Sequence, residues 1–267
     1  MTASGQIMEP LDLAKKIFDK EPFPDTEKYI AGEYKGRPNG QDLQSGSITR
    51  FLLLKQTSNK AVVAMTILDS AGKGLDTYLH FEKDSIWKMH AFRALSMTGM
   101  IEQAKNELER MTPRQVDELI EKAKNAKRKS HVVFASRDDY NFELGNARLI
   151  LELDENIIQH FIQNKAGFER IKEAALKEVA SKKSDGERSM KLVESFRNDF
   201  RKLFISSVSY GGYELGEKCV NFSIGGMVDN TVGYLFAKDE NDLPEMNASR
   251  IIMLREIGDG WYLYKTT

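Results

Sequence analysis

The sequence predicts an α+β protein of two similar halves, each a curved antiparallel sheet packed on helices, joined by a helical connector. Three observations predict it. Hydrophobic spacing alternates between blocks of helical period and blocks of strand period, so helices and strands segregate along the chain. Residues 251–267 (IIMLREIGDGWYLYKTT) echo residues 77–90 (TYLHFEKDSIWKMH), and the two tryptophans, Trp87 and Trp261, fall at equivalent places in the two hairpins. Between them, residues 121–130 (EKAKNAKRKS) form a polar break suited to a connector. The expected division is residues 1–128, with the helical connector at about 96–128, and residues 129–267.

The elements follow in order. Pro10 opens an amphipathic helix with Leu11, Leu13, Ala14, Ile17 and Phe18 on one face, and Pro22 and Pro24 lie beyond its end. A loop rich in Gly, Pro and Asp runs to about Ser47. Residues 48–55 (ITRFLLLK) and 61–68 (AVVAMTIL) read as strands, and the first Trp hairpin completes a four-stranded meander. From Ser96 the period becomes helical, with Met100, Ile101, Ala104, Leu108 and Met111 on one side. Thr112 caps a second helix with Pro113 at its first position. Residues 131–135 and 147–153 (ARLILEL) are strand-like, Asp154 is expected to cap a helix, and another helix is expected over residues 187–203. Strands return at residues 205–210, 219–224 and 232–237 and in the terminal hairpin, giving a second meander.

A helix followed by a meander resembles the cystatin-like and nuclear-transport-factor-like architectures, in which a curved sheet wraps a helix. The likeness is one of fold alone, and no family motif in the chain transfers a catalytic residue.

Composition bounds the chemistry. Hydrophobic residues at 41% and charged residues at 30% describe an ordinary globular chain rather than a disordered one. A net charge of −1 removes any global electrostatic case for nucleic acid or anionic membrane. Cys219 is the single cysteine, which excludes an intramolecular disulfide and a Cys-based zinc site. The N-terminal stretch lacks a basic start followed by an apolar run, and no long apolar segment occurs, so a cytoplasmic location without membrane contact is expected. The basic run Lys122, Lys124, Lys127, Arg128 and Lys129 carries no interleaved aromatics and reads as a solvated helix end rather than a nucleic-acid patch. The pairs Gly211-Gly212 and Gly225-Gly226 do not lead from a strand into a helix, and they read as bulges that let a sheet curve.

The hairpins hold the candidate residues. With Gly258-Asp259 as the terminal turn, Leu254 lies opposite Leu263, and Tyr262 and Tyr264 occupy the amphipathic face, where they are candidates for an interface. The same register puts Asp84-Ser85 in the first turn, Glu82 opposite Trp87, and His80 where its counterpart has Leu254. His80, Tyr78, Glu82 and Trp87 are therefore the candidate lining of a ligand pocket inside the N-terminal sheet. No HxH, HExxH or GxSxG pattern supplies partners for a metal or a nucleophile, and neither a metal nor a cofactor is expected. The function these observations favour is a non-catalytic module that binds another protein, or itself as a homo-oligomer. The alternative is a small-molecule-binding protein or small enzyme using the pocket of the first half.

Overall fold

The computed structural model describes residues 8–32, 39–125, 134–181, 190–191 (backbone only), 196–212 and 214–267. Its architecture is mixed α+β, with two open antiparallel sheets and seven helices among the described residues. The chain divides into two compact units: Met1–Leu95 with Glu245–Arg255 and Thr266–Thr267, and Ser96–Pro244 with Glu256–Lys265. This differs from the expected cut at residue 128. Helices expected to connect two halves belong to the second unit, and a late segment of chain returns to the first.

In the first unit, helix α1 (Pro10–Ile17) starts at a proline that needs no amide partner there. Strands β1 (Ile48–Gln56), β2 (Lys60–Leu68), β3 (Gly74–Lys83) and β4 (Trp87–Arg93) form an antiparallel sheet in sequence order. Its two faces follow from the register. Phe51 pairs with Met65 and Met65 with Thr77, while Leu52 pairs with Ala64 and Ala64 with Tyr78. The first set belongs to the face that packs α1, where Leu13, Ala14, Ile17 and Phe18 meet Val63, Met65, Leu79, Phe81, Trp87 and Met89. Ala64 and Tyr78 of the second set, with Val62 and His80, are also buried. There the returning segment bonds to the sheet: His80 Nε2 lies 3.1 Å from the Ile252 carbonyl oxygen, and Arg93 Nε donates to Ala248 O at 2.6 Å.

The second unit begins with α2 (Thr98–Arg110) and α3 (Pro113–Lys124), the latter capped by a reciprocal Thr112–Gln115 pair. Helices α4 (Arg137–Ile150), α5 (Asp154–Gln163), α6 (Lys165–Ser181) and α7 (Arg197–Lys202) follow. Five strands, β6 (Ser207–Tyr210), β7 (Val220–Met227), β8 (Asn230–Phe236), β9 (Ile251–Gly258) and β10 (Trp261–Thr266), make the second sheet, with the two-residue strand β5 (Met190–Lys191) added beside β6. Residues 251–255 of β9 and Thr266 of β10 count with the first unit. Their order is β5-β6-β7-β8-β10-β9, so β8 neighbours β10 and not β9. The expected second meander is thus broken at its last hairpin. Trp87 lies on an outer strand of its sheet and Trp261 on an inner one. Trp261 packs among Phe161, Phe168, Phe222 and Phe236 at centroid distances of 5.0–6.1 Å.

Several local expectations are corrected. Residues 147–153 are the end of α4 and a turn, not a strand. An apolar run on a helix buried at Phe142, Ala147, Leu149 and Ile150 loses the spacing that separates helix from strand. Leu153 holds the cap position of α5, and Asp154 is its first residue. Among the described residues of the expected helix over residues 187–203, Arg197–Lys202 are α-helical and Met190–Lys191 pair as strand; residues 187–189 and 192–195 lie outside the described residues. Residues 131–133 of another expected strand lie outside the described residues, as do Lys127, Arg128 and Lys129 of the basic run. The terminal turn is Asp259-Gly260, both at positive φ (54° and 77°), one residue later than expected. An Asp-Gly pair suits a turn needing positive φ at both central positions. The Gly225-Gly226 pair does accompany a bulge, with the β7–β8 register shifting between Ser223 and Gly225.

Candidate functional site

Edge position decides which apolar strand residues meet solvent, and β1 is at the edge of the first sheet. Among the described residues no strand pairs with its outer side. Its sequence, ITRFLLLKQ, would suit a buried strand, yet Ile48 is 57% exposed, Leu52 43% and Leu53 37%. An edge strand presents unpaired backbone donors and acceptors as well as side chains, and it is a template for another extended segment. A register shift between Leu53 and Lys55 bends the end of β1, leaving residues 48–53 as its regular part.

A cleft of about 510 Å³ runs beside that regular part. Phe18, Leu43 and Phe51 supply its apolar lining, and Lys15, Lys20 and Asp19 its charges. The loop over residues 40–47 forms the far wall, and it closes tightly because Gly40 sits against Asp19, where a Cβ would come within 1.9 Å of the carbonyl oxygen. Since Thr49 and Phe51 line the cleft, a strand added outside β1 would direct every second side chain toward it. A smaller cleft of about 300 Å³ lies at the β1–β2 turn, lined by Lys55, Lys60, Val62, Glu245 and Met246 among others.

The four pocket candidates of the β3–β4 hairpin do not share one face. Tyr78, His80 and Glu82 alternate on the face covered by the returning segment, whereas Trp87 is packed in the α1 core. Three residues, Asp84, Ser85 and Ile86, separate β3 from β4, so Lys83 pairs with Trp87 and Glu82 with Lys88. The expected two-residue turn is corrected by Asp84. Its carboxylate accepts from Lys88 and from the Ser85 and Ile86 amides, which holds its pKa well below the usual carboxylate range. His80 then pairs with Ala91 across a register shift, and His90, the extra residue, lies 3.8 Å from the Glu82 carboxylate. Tyr78 is fully buried, His80 is 7% exposed, and the Trp87 indole N–H has no hydrogen-bond partner among the described residues.

The interface candidates are also buried: Tyr262 is 7% exposed and Tyr264 is 1% exposed. Tyr264 Oη donates to Asn221 Oδ1 at 2.8 Å, and burial pushes its pKa up to about 12. Both faces of β10 are buried from Trp261 to Thr266, which is why Tyr264 is an interior group rather than an exposed one. Cys219 is buried, and burial pushes its thiol up to about 11, which suits a packing residue.

A second polar cluster had no signal in local sequence. His160 Nε2 lies 3.1 Å from the Leu203 carbonyl oxygen, and its ring stacks on Phe204 at 5.7 Å. Asn146 Nδ2 donates to Phe204 O at 2.7 Å and Ile224 O at 2.6 Å. Phe204 adopts φ +57°, a conformation bulky residues rarely hold, and the Gly145 backbone lies against its ring. The cluster fixes α4, α5 and the chain after α7 to β7, and its hydrogen bonds are used for that.

Among the described residues no group of His, Cys, Asp or Glu side chains is placed to hold a metal ion, and no helix is long and apolar enough to cross a membrane. No family model, curated protein or solved structure matches the chain.

Proposed function

We propose that this chain is a protein-binding module that takes an extended segment of its partner as an added strand along β1. The observation that carries the reading is the exposed apolar edge at Ile48, Leu52 and Leu53, with a cleft beside it at the depth of every second residue. Main-chain hydrogen bonds would supply affinity in such a complex, and the cleft would supply selectivity. Panning a random-peptide display library against the full chain tests this. Enriched peptides should show alternating apolar residues and lose binding to a Leu52→Pro variant whose far-UV dichroism is unchanged. Enrichment of peptides indifferent to β1, or none at all, would overturn the proposal.

A second reading retains a pocket in the first half, on the face of Tyr78, His80 and Glu82 and without Trp87. The observation in its favour is the 300 Å³ cleft at Val62, which is the cross-strand neighbour of His80. Small-molecule binding there should be abolished by Met246→Trp, which fills the cleft, and retained by Leu52→Pro.

A further inference from the structure

Resting on the strand-addition reading, we infer that the segment received by β1 carries a tyrosine whose ring enters the cleft beside Phe51 and whose hydroxyl bonds to Ser47. Strand geometry brings these groups together. Ser47, Thr49 and Phe51 are alternate residues and all three line the cleft of about 510 Å³, while Ile48 between the first two is 57% exposed. A residue added opposite Thr49 would have Ser47 and Phe51 as its diagonal neighbours, a separation that aromatic side chains span.

The chemistry of the walls selects tyrosine. Phe18, Leu43 and Phe51 make an apolar lining that favours an aromatic body over a short polar side chain. Ser47 is only 8% exposed, yet its hydroxyl has no hydrogen-bond partner among the described residues. The loop that carries it closes on its own bonds. Asn39 Oδ1 accepts from the Gln41 amide at 2.9 Å, the Asn39 amide donates to Asp42 Oδ2 at 3.0 Å, and the Ser47 amide donates to Gln44 O at 3.0 Å. Once an added strand excludes water from the cleft, the Ser47 hydroxyl needs a partner from that strand. A phenol, which both donates and accepts, supplies one, and phenylalanine leaves it unpaired. Charge gives no reason for an ionic occupant: Lys15 and Lys20 line the cleft with Asp19, and Asp12 lies 3.7 Å from Lys15, so two cations are met by two carboxylates.

Fluorescence anisotropy on the full chain tests the inference with three labelled, end-blocked decapeptides. Each alternates valine with serine and carries tyrosine, phenylalanine or serine in place of one central valine. The tyrosine probe should bind about fivefold more tightly than the phenylalanine probe, as one hydrogen bond gained implies, and the serine probe least. That advantage should hold between about 50 and 300 mM salt, because no charge is involved. Ser47→Ala should bring the tyrosine and phenylalanine probes together while the thermal midpoint holds. Equal binding of those two probes to the parent chain, or a tyrosine preference that survives Ser47→Ala, overturns the anchor and leaves strand addition standing. Failure of every probe to bind, or binding that Leu52→Pro leaves intact, overturns strand addition and the anchor with it.

Discussion

The two tryptophans are both buried, at 1% and 0% exposure, yet their indole N–H groups have opposite fates. Trp261 Nε1 donates to Glu169 Oε1 at 2.7 Å, while Trp87 Nε1 has no partner among the described residues. Replacing each by Phe removes similar bulk, a packing loss on the order of 1–2 kcal/mol at a buried site. At Trp87 the substitution also removes an unsatisfied donor, a relief of about 1–3 kcal/mol, so Trp87→Phe should be close to neutral. At Trp261 it removes a hydrogen bond to a charged group, worth about 1.5–3 kcal/mol. The lower end applies, because the Glu169 side chain is 30% exposed and also held by Lys172. The two variants should therefore differ by about 3 kcal/mol. Urea denaturation followed by far-UV dichroism and by the remaining tryptophan measures this, with each unit fitted separately if the transitions do not coincide. Equal destabilisation by the two substitutions would refute the assignment of an orphaned donor at Trp87.

Other outcomes follow from single contacts. Lys265 and Asp154 form a 2.7 Å ion pair with side chains 5% and 4% exposed. Removing either partner alone should cost about 3–5 kcal/mol, while Asp154→Leu with Lys265→Met should recover most of it, as denaturant midpoints would show. Gly145→Ala should destabilise by about 1–3 kcal/mol, because its Cβ would fall 2.1 Å from the Phe204 ring. Gly99→Ala on α2, which meets open space, should be neutral or stabilising by up to about 1 kcal/mol. Burial lowers the His160 pKa from 6.5. The unfolded chain then takes up a proton first on acidification, so stability should fall as the pH drops below about 6.5 toward the depressed folded value. His160→Gln should flatten that part of the pH–stability curve, and an unchanged slope would contradict the burial assigned to the ring. Glu143, raised from 4.5 chiefly by its own burial, contributes the opposite slope just above that value, so the comparison must be between variant and parent.

Local rules made some elements legible and left others dark. Pro10 and Thr112-Pro113 mark helix starts by backbone chemistry that no distant contact alters, and both helices begin where those residues indicate. Residues 147–153 misled because burial on several sides of α4 replaced a stripe with a nearly continuous apolar run. Asp259-Gly260 was legible as a turn with two positive φ values, whereas the burial of Tyr264 was not, because that turn leaves the hairpin faces as they were and it is the covering of both faces of β10 that buries the ring. The returning segment over Tyr78 and His80 left no local trace. It joins residues far apart in sequence, and only the tertiary fold shows that the His80 ring lies beside a backbone carbonyl.

The edge strand was partly legible, through Arg50. A cation inside ITRFLLLK conflicts with a strand buried on both faces, but it suits one whose outer side meets solvent. The expectation of a binding module rested on the lack of a catalytic motif and on the aromatic face with Tyr262 and Tyr264, residues the chain keeps for its own interior. The exposed features on β1 are apolar side chains and open backbone, and under the proposed strand addition they would suit an extended partner better than a flat aromatic contact. The tyrosine-rich hairpin therefore bears on how the second unit folds. Under that proposal, recognition is sought at Ile48 and Leu52, which the fold leaves exposed at an unpaired edge.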